Sequence, residues 1–201
     1  IIDESLTLFS VNGFKGTSVK AIANAVGIKD ASLYKHFKSK QEILDTIVET
    51  MRQNIGKMSM TVGLPSDQDL SESVAFYAAF DQDTLVEYSK KIFLFYLRDS
   101  YISRFWRMGT IEQFQNPKVY EVFAKLFLEE SITYQAALFE EMRKAKVFRD
   151  IDSQVMAINF YSPIFFLLSK YIGTTERDEE ALEILEKQVR EFHRIYRNKE
   201  N

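Results

Sequence analysis

Apolar residues recur every three or four positions along most of this chain, which is the period of an amphipathic α-helix. In the first segment Ile2, Leu6 and Phe9 follow this spacing, and Gly13 is expected to end the helix. The sequence contains only three prolines and seven glycines, and its long segments are rich in good helix formers such as Leu, Glu, Lys and Ala. The pattern therefore predicts an all-α fold.

Two short helices are expected after the first one. Residues 19–26 place their apolar side chains on one face, and Gly27 is expected to end this second helix. A hydroxyl side chain at Thr17 or Ser18 is placed to cap its N-terminus. Leu33 then marks a third helix of similar length.

A capping box predicts the start of a longer fourth helix. Ser39 and Glu42 are spaced so that each side chain can accept a hydrogen bond from the other's backbone N–H. Beyond residue 56, glycines and a proline interrupt the pattern, and Ser66 is placed to cap the helix that follows. The side chains expected to be buried on the fourth helix are Ile43, Leu44, Ile47, Val48 and Met51.

The rest of the chain predicts further helices separated by turn residues. Asn116 and Pro117 mark a sharp boundary, because proline suits the first position of a helix. The helical patterns cover residues 70–107, 118–146, from Asp150 or Asp152 to about 173, and 178–197. The change of pattern near residue 50 divides the chain into two predicted domains, 1–48 and 49–201.

Composition excludes several classes of protein. The chain has no cysteine, so disulfides, thiolate metal sites and cysteine nucleophiles are ruled out. The most apolar stretch, residues 155–169, is too short to span a bilayer, so no membrane association is predicted. No basic segment leads into an apolar run near the start, so we expect no signal peptide and a cytoplasmic protein. Because the chain opens with Ile1 rather than Met, a few residues are expected to precede it.

The sequence also lacks recognisable catalytic motifs. Its two histidines, His36 and His193, are far apart and do not have the spacing of metal ligands. Adjacent carboxylates such as Glu129 and Glu130 diverge by about 100° on a helix, so they do not converge on a substrate. We therefore predict no enzymatic activity, no metal ion and no cofactor.

Positive charge is concentrated in one segment of an otherwise acidic chain. Residues 15–40 hold six lysines and one aspartate, a formal charge of +5, so the remainder carries −8 to give the net −3. Lysines on a solvated face are common and do not by themselves indicate a nucleic acid partner. The segment coincides, however, with the short helices and their glycine turn.

A short helix, a glycine turn and a second short helix form the arrangement of a helix-turn-helix motif. Alanines within residues 21–25 allow the two helices to cross closely, and Gly27 supplies the turn conformation. The third helix is expected to present outward a mixture of charged and small residues that fits a major groove: Lys29, Asp30, Ala31, Ser32 and Lys35.

The segment GFKGTSVKAIANAVGIKDASLYKHFKSKQEIL, which begins at Gly13, resembles the N-terminal domain of the TetR family of bacterial transcription regulators. The resemblance covers about the first fifty residues. The chain departs from the family pattern at Lys29, where a Ser or Thr usually caps the third helix. The matching elements are Gly13-Phe14, Thr17-Ser18-Val19, Ile22-Ala23, Gly27-Ile28, Leu33-Tyr34-Lys35-His36-Phe37, Ser39-Lys40 and Leu44.

The resemblance implies an N-terminal three-helix DNA-binding domain and a larger helical domain that binds an effector and dimerises. By this resemblance Tyr34, His36 and Lys40 contact the DNA backbone, and Thr17 or Ser18 holds a phosphate. A helix N-terminus attracts phosphate on physical grounds as well. Base edges would be read by residues 29–32 and Lys35. The alternative is that Tyr34 is a half-buried core residue and His36 an ordinary surface histidine.

Aromatic residues are abundant beyond residue 70, and the resemblance implies that some of them line an effector cavity. A small apolar or aromatic effector would suit such a lining, but for each ring taken singly a plain core position is the favoured alternative. Gln135, Asn159 and Arg104 are candidate polar anchors or satisfied structural groups. The predicted effector site consists of Phe93, Tyr96, Phe105, Trp106, Phe127, Tyr134, Asn159 and Phe160.

The last two helices are predicted to form a homodimer interface. The segment 155–172 is apolar around most of its circumference, which a helix on the surface of a monomer would not tolerate. A two-fold dimer carries two DNA-binding domains, so the operator in double-stranded DNA is expected to be a palindrome. The predicted interface residues are Val155, Phe166, Leu182, Leu185, Val189 and Phe192.

These features predict a ligand-responsive DNA-binding regulator, with a repressor released by its effector as the expected form. The choice of repressor over activator rests on the family resemblance and on no residue of the chain. The alternative is a helical small-molecule binder or adaptor whose helix-turn-helix no longer contacts DNA. Salt-sensitive DNA binding would separate the two.

Overall fold

The computed structural model describes residues 1–65 and 70–198. Within these ranges the regular structure is helical, apart from an isolated bridge between Phe148 and Arg197. The predicted all-α fold is confirmed, whereas the predicted cap at Ser66 lies outside the described residues. In the part of the chain so described, no helix is long and apolar enough to cross a membrane.

The helices follow one another with short connections. In chain order they are α1 (Ile2–Gly16), α2 (Val19–Val26), α3 (Asp30–His36), α4 (Lys40–Thr61), α5 (Leu70–Ala78), α6 (Gln82–Arg98), α7 (Ser100–Glu112), α8 (Pro117–Ala124), α9 (Glu130–Lys144), α10 (Ser153–Tyr171) and α11 (Asp178–Tyr196). A π-helical turn over Lys125–Glu129 joins α8 to α9, and a 3₁₀ turn over Thr175–Arg177 precedes α11.

The chain forms two compact units. The first contains Ile1–Gly56 and Asp99–Lys125, and the second contains Lys57–Arg98 and the described residues from Leu126 onward. The first unit therefore includes α7 and α8 as well as the N-terminal helices. The functional division of the chain at residue 48 stays a prediction.

The first unit has a core built from the apolar faces of its amphipathic helices. α1 packs along α7, and Leu6 and Phe9 of α1 are fully buried. Ile22 of α2 and Leu33 of α3 are buried in the same unit. The predicted core side of α4 is largely confirmed, since Val48 alone of its five residues is only partly buried.

The first helix breaks at Gly13, as the sequence predicts. Gly13 has φ 73° and ψ 164°, a backbone conformation that is essentially restricted to glycine. One further helical turn then leads to Gly16, and the direct connection to α2 follows at Thr17 and Ser18.

A left-handed glycine closes α2, in agreement with the prediction. Gly27 has φ 75° and ψ 28°, and its N–H donates to the carbonyl of Asn24 at 3.1 Å. The N–H of Ile28 donates to the carbonyl of Ala23 at 3.0 Å. These two bonds form a Schellman motif, which turns the chain sharply into α3.

The second unit is held together by α5, α6, α9, α10 and α11. α10 packs against α9 and α11, and α11 also packs against α6. Aromatic rings fill much of this core, with Phe192 within 4.8 Å of Phe160 and 5.5 Å of Phe139 between ring centroids. Such tilted and edge-to-face pairs stabilise the core beyond the area they bury.

Two details of the helix boundaries differ from the sequence-based expectations. The predicted helix over residues 118–146 is interrupted by the π-helical turn, where the hydroxyl of Tyr161 donates to the carbonyl of Phe127. A π-helical turn leaves carbonyls free for such bonds because it shifts the hydrogen-bond register. The helical pattern over residues 70–107 is divided twice, between α5 and α6 and again before α7, where Asp99 caps the helix by accepting from Tyr101 and Ile102.

Candidate nucleic-acid interface

The two hydroxyl residues before α2 have different surroundings. Ser18 is exposed and caps α2, because its Oγ accepts from the backbone N–H of Ala21 at 3.0 Å. Thr17 is 1% exposed, and its hydroxyl donates to the carbonyl of Gly13 at 2.8 Å. Of the two alternatives left open by the sequence, Ser18 is therefore the cap, and Thr17 fastens the turn before it.

The exposed side of α3 consists largely of the residues predicted to face outward. Leu33 is buried and anchors the helix, whereas 53% of Tyr34 is exposed. Ser32 is only partly buried. The other predicted DNA-binding residues of this segment are exposed, namely Lys29, Asp30, Ala31, Lys35 and His36.

The start of α3 lacks the usual capping side chain. Lys29 occupies the N-cap position, has an extended backbone conformation, and makes no side-chain cap hydrogen bond. Asp30 supplies an acidic group in the first turn, which favours helix formation through the helix dipole. Lys29 therefore keeps its ammonium on the exposed side of the helix-turn-helix.

The ammonium of Lys40 is bonded to the segment that joins α1 to α2. Nζ donates to the carbonyl of Phe14 at 2.6 Å and to that of Thr17 at 2.8 Å. It also lies 4.4 Å above the centroid of the Phe14 ring, within the range of a cation–π contact. Burial lowers the pKa of Lys40, and the charge of Glu112 opposes this shift. A lysine ammonium has three donors, and two of those of Lys40 are used in these bonds.

The predicted capping box at the start of α4 is present in modified form. Ser39 Oγ accepts from the N–H of Glu42 at 3.1 Å, as expected. The Glu42 carboxylate, however, accepts from the backbone N–H of Lys38 and not from that of Ser39. The box thus extends one residue further back and fixes the chain between α3 and Lys40.

Glu112 is a residue of this site that the sequence did not indicate. It lies at the end of α7 and is fully buried, and its Oε1 accepts from the backbone N–H of Phe14 at 2.7 Å. The two residues are 98 positions apart in the chain. Helical periodicity places Glu112 on α7 but gives no signal for which distant backbone group it meets.

The predicted effector-binding residues are divided between the two units. Phe105 and Trp106 lie on α7 in the first unit, where Phe105 is fully buried and the Trp106 ring packs edge-to-face on Phe123 at 5.1 Å. The other six lie in the second unit: Phe93, Tyr96, Phe127, Tyr134, Asn159 and Phe160.

Within the second unit, part of this set is brought together. Tyr96 and Phe127 form an edge-to-face pair at 6.5 Å, and Phe93 and Phe127 are buried. The hydroxyl of Tyr134 donates to Ser73 at 3.3 Å. Burial raises the pKa of Tyr96 above its usual value, so its phenol stays neutral.

The proposed polar anchors have different environments. Asn159 is exposed and donates to the hydroxyl of Tyr196 at 2.7 Å. Arg104 binds Asp3 and Thr7 of α1, with both bonds at 2.6 Å, and is therefore a structural group of the first unit. The Oε1 atom of Gln135 is buried and has no hydrogen-bond partner among the described residues.

The predicted dimer residues separate into exposed and buried groups. Val155 and Phe166 of α10 are 48% and 61% exposed. Leu182 is partly buried, whereas Leu185, Val189 and Phe192 are buried within the second unit of a single chain. The exposed apolar surface of α10 and α11 also includes residues that were not predicted: Ile158, Ile184 and Ile195.

An all-helical fold with an exposed helix-turn-helix near its N-terminus is the arrangement typical of helix-turn-helix transcriptional regulators. Residues 1–47 match the family model described as bacterial regulatory proteins of the tetR family. Among curated proteins, the chain is 27% identical over 150 residues to the biofilm operon icaADBC HTH-type negative transcriptional regulator IcaR of Staphylococcus aureus strain Newman. That alignment covers 75% of this chain and 73% of IcaR.

Solved structures have the same fold. A TetR-family regulator from Mesorhizobium loti superimposes with a TM-score of 0.71 and 16% identity, over 98% of this chain and 95% of that one. The flavonoid-responsive regulator FrrA superimposes with a TM-score of 0.64 and 22% identity, over 98% and 95% of the two chains. Residues 1–47 thus match the N-terminal domain of tetR-family regulators, and the chain shares its overall fold with solved structures of such regulators.

Proposed function

We propose that this chain is a cytoplasmic, homodimeric repressor that binds a palindromic operator and is released from it by a small apolar or aromatic effector. The observation that carries the proposal is the exposed side of α3 next to the Ser18 cap of α2 and the ammonium of Lys40. Phosphate contacts would fix the position of these helices on the duplex, and α3 would read the bases.

Backbone contacts are assigned to residues that border α3. Ser18 lies at the N-terminus of α2, where free N–H groups and the helix dipole favour a phosphate. Tyr34 and His36 are exposed on α3. The ammonium of Lys40 donates to two carbonyls, and its third N–H is available for a phosphate. Thr17 contributes by holding the turn, because its own hydroxyl is buried.

Base contacts are assigned to the exposed side of α3. Lys29 and Lys35 carry donors that suit guanine, and Asp30 carries acceptors that suit the amino group of cytosine. Ala31 and Ser32 are small enough to let the helix approach the groove closely. Each good base contact contributes about 1–3 kcal/mol of discrimination.

Negative regulation is supported by the relatives. IcaR is named as a negative transcriptional regulator, and FrrA is named as flavonoid-responsive. An effector that releases the operator must bind the DNA-incompetent state more tightly than the competent one. The aromatic residues of the second unit, including Tyr96 and Phe127, support an apolar or aromatic ligand.

The homodimer is supported by the exposed apolar side chains of α10 and α11. Val155, Ile158 and Phe166 of α10 and Ile184 and Ile195 of α11 are each at least 38% exposed. Several exposed apolar residues on neighbouring helices favour an isologous contact with a second copy. Such a dimer carries two α3 helices, which is why the operator is expected to be palindromic.

No enzymatic activity and no cofactor are part of the proposal. The family model that residues 1–47 match describes regulatory proteins. Among the described residues, no three His, Cys, Asp or Glu side chains are grouped so that they could hold a metal ion.

The proposal is tested by selecting bound duplexes from a random DNA pool and then titrating salt against the selected sequence. A recovered palindrome whose affinity falls steeply with salt concentration is the expected result, because each neutralised phosphate releases counterions. Failure to enrich any sequence at low salt would favour the alternative, a helical small-molecule binder or adaptor with a vestigial helix-turn-helix.

A further inference from the structure

Both backbone polar groups of Phe14 are held by charged side chains from other helices. Glu112 of α7 accepts from its N–H at 2.7 Å, and Lys40 of α4 donates to its carbonyl at 2.6 Å. The two side chains carry opposite charges and meet the same residue. This fixes the turn that connects α1 to α2 from two directions.

The Glu112 carboxylate is placed there at an energetic cost. The residue is 0% exposed, and its second oxygen, Oε2, has no hydrogen-bond partner among the described residues. Burying a carboxylate is unfavourable unless bonds and opposite charges compensate for the lost hydration. An apolar side chain of similar size would avoid this cost but would leave the N–H of Phe14 without its acceptor, so the role of the glutamate lies in the turn that it holds.

Glu112 also occupies the space beside Gly13. A Cβ atom at position 13 would lie 2.5 Å from Glu112 Oε1. Gly13 therefore provides both the unusual backbone conformation and the room for the carboxylate. Its carbonyl in turn accepts from the hydroxyl of Thr17 at 2.8 Å, the residue directly before the Ser18 cap.

We propose that Glu112 is a positioning residue for DNA binding: its carboxylate holds the backbone of the 13–17 turn, and this turn sets the position of Ser18 at the N-terminus of α2. The inference rests on the proposed function, because it assumes that the N-terminus of α2 meets a phosphate. Glu112 itself is buried and does not touch DNA.

The test compares two variants of Glu112 that differ only in hydrogen-bonding ability. Glu112→Met has a similar volume but no acceptor oxygen, whereas Glu112→Gln retains one. We expect operator affinity to fall about tenfold in E112M, the loss that corresponds to one hydrogen bond to a charged group. E112Q should stay within about threefold of the original protein, because a neutral acceptor keeps part of the bond.

Arg104 offers a matched control on the same pair of helices. It joins α7 to α1 through Asp3 and Thr7, far along α1 from Gly13. Arg104→Met removes the bonds from α7 to Asp3 and Thr7, just as E112M removes the bond from α7 to Phe14. If Glu112 acts through the turn, R104M should change operator affinity by less than about twofold, as is usual for a partly exposed ion pair.

Hydrogen exchange of the Phe14 amide gives a second measurement that needs no DNA. Its exchange should be at least about tenfold faster in E112M than in E112Q, while amides in the centre of α7 exchange equally in both. Should E112M not fold, Glu112→Asp withdraws the carboxylate by one methylene and is expected to show the same losses.

Equal operator affinity in E112M and the original protein would overturn the inference, and so would equal losses in E112M and R104M. These results leave the proposed function intact, because the original protein still binds DNA. An original protein without salt-sensitive DNA binding would instead overturn the proposed function, together with the inference that rests on it.

Discussion

The ammonium of Lys40 lies 2.8 Å from the carbonyl oxygen of Thr17, the residue that immediately precedes the cap of α2. The side chain at the first position of α4 therefore fixes the backbone just before α2. Its third N–H could donate to a phosphate at the N-terminus of α2. Under the proposed function, Lys40 would therefore both hold the start of α2 and contact a phosphate.

Replacing Lys40 by methionine is expected to weaken operator binding and to reduce its salt dependence. Loss of one phosphate contact from each subunit of the proposed dimer lowers the slope of log affinity against log salt by about 2. Binding at two salt concentrations measures this change. Lys91→Met is the matched control, because Lys91 is an exposed lysine of α6 in the second unit, outside α10 and α11. An unchanged salt slope in K40M would contradict the phosphate contact.

The two hydroxyl residues before α2 should respond differently to substitution. Thr17→Val removes a buried donor to Gly13 and is expected to lower the free energy of unfolding by about 1–2 kcal/mol. Ser18→Ala removes an exposed cap at a cost of about 1 kcal/mol and should also weaken operator binding. Urea unfolding and DNA titration of both variants measure these effects. Full operator affinity in S18A would refute the assignment of a phosphate to this cap.

Gly13 and Gly16 provide a direct test of the break in α1. Gly13→Ala is expected to lower the free energy of unfolding by about 3 kcal/mol, because φ is 73° and the new Cβ would meet Glu112. Gly16→Ala should be near neutral, since its φ is ordinary and the nearest atom is 3.8 Å away. Similar unfolding midpoints for the two variants would show that the break is not strained.

Local features of the fold were predictable because the residues that specify them are adjacent in sequence. Gly27 ends α2 through bonds within a few residues, and Pro117 begins α8 at its first turn. The exposed residues of α3 follow from helical spacing around the buried Leu33. In each case the sequence contains all of the interacting groups within one or two turns.

Features that depend on distant packing were not predictable in the same way. Glu112 meets Phe14 across 98 residues, and no periodic pattern encodes that pairing. The apolar face of α11 was assigned to the dimer, yet Leu185 and Val189 of that face are buried within a single chain. Periodicity identifies an apolar face but does not say whether its partner is the same chain or another copy.

Phe166 offers the sharpest test of the proposed dimer. Phe166 is 61% exposed on α10, so Phe166→Glu should have little effect on the core. In an isologous interface both copies contribute the same surface, so the substitution would introduce two buried negative charges. We expect sedimentation equilibrium to show a monomer at concentrations where the original protein is a dimer. Its operator affinity should fall at least about a hundredfold, because two linked DNA-binding domains gain affinity through effective concentration.

Phe114→Glu is the control for this substitution. Phe114 is 90% exposed, but it follows α7 in the first unit and is not part of α10 or α11. The same charge at this position should leave the dimer intact. If F166E also remains dimeric at micromolar concentration, the copies associate through another surface, and the spacing of the two halves of the operator would have to be derived from that surface.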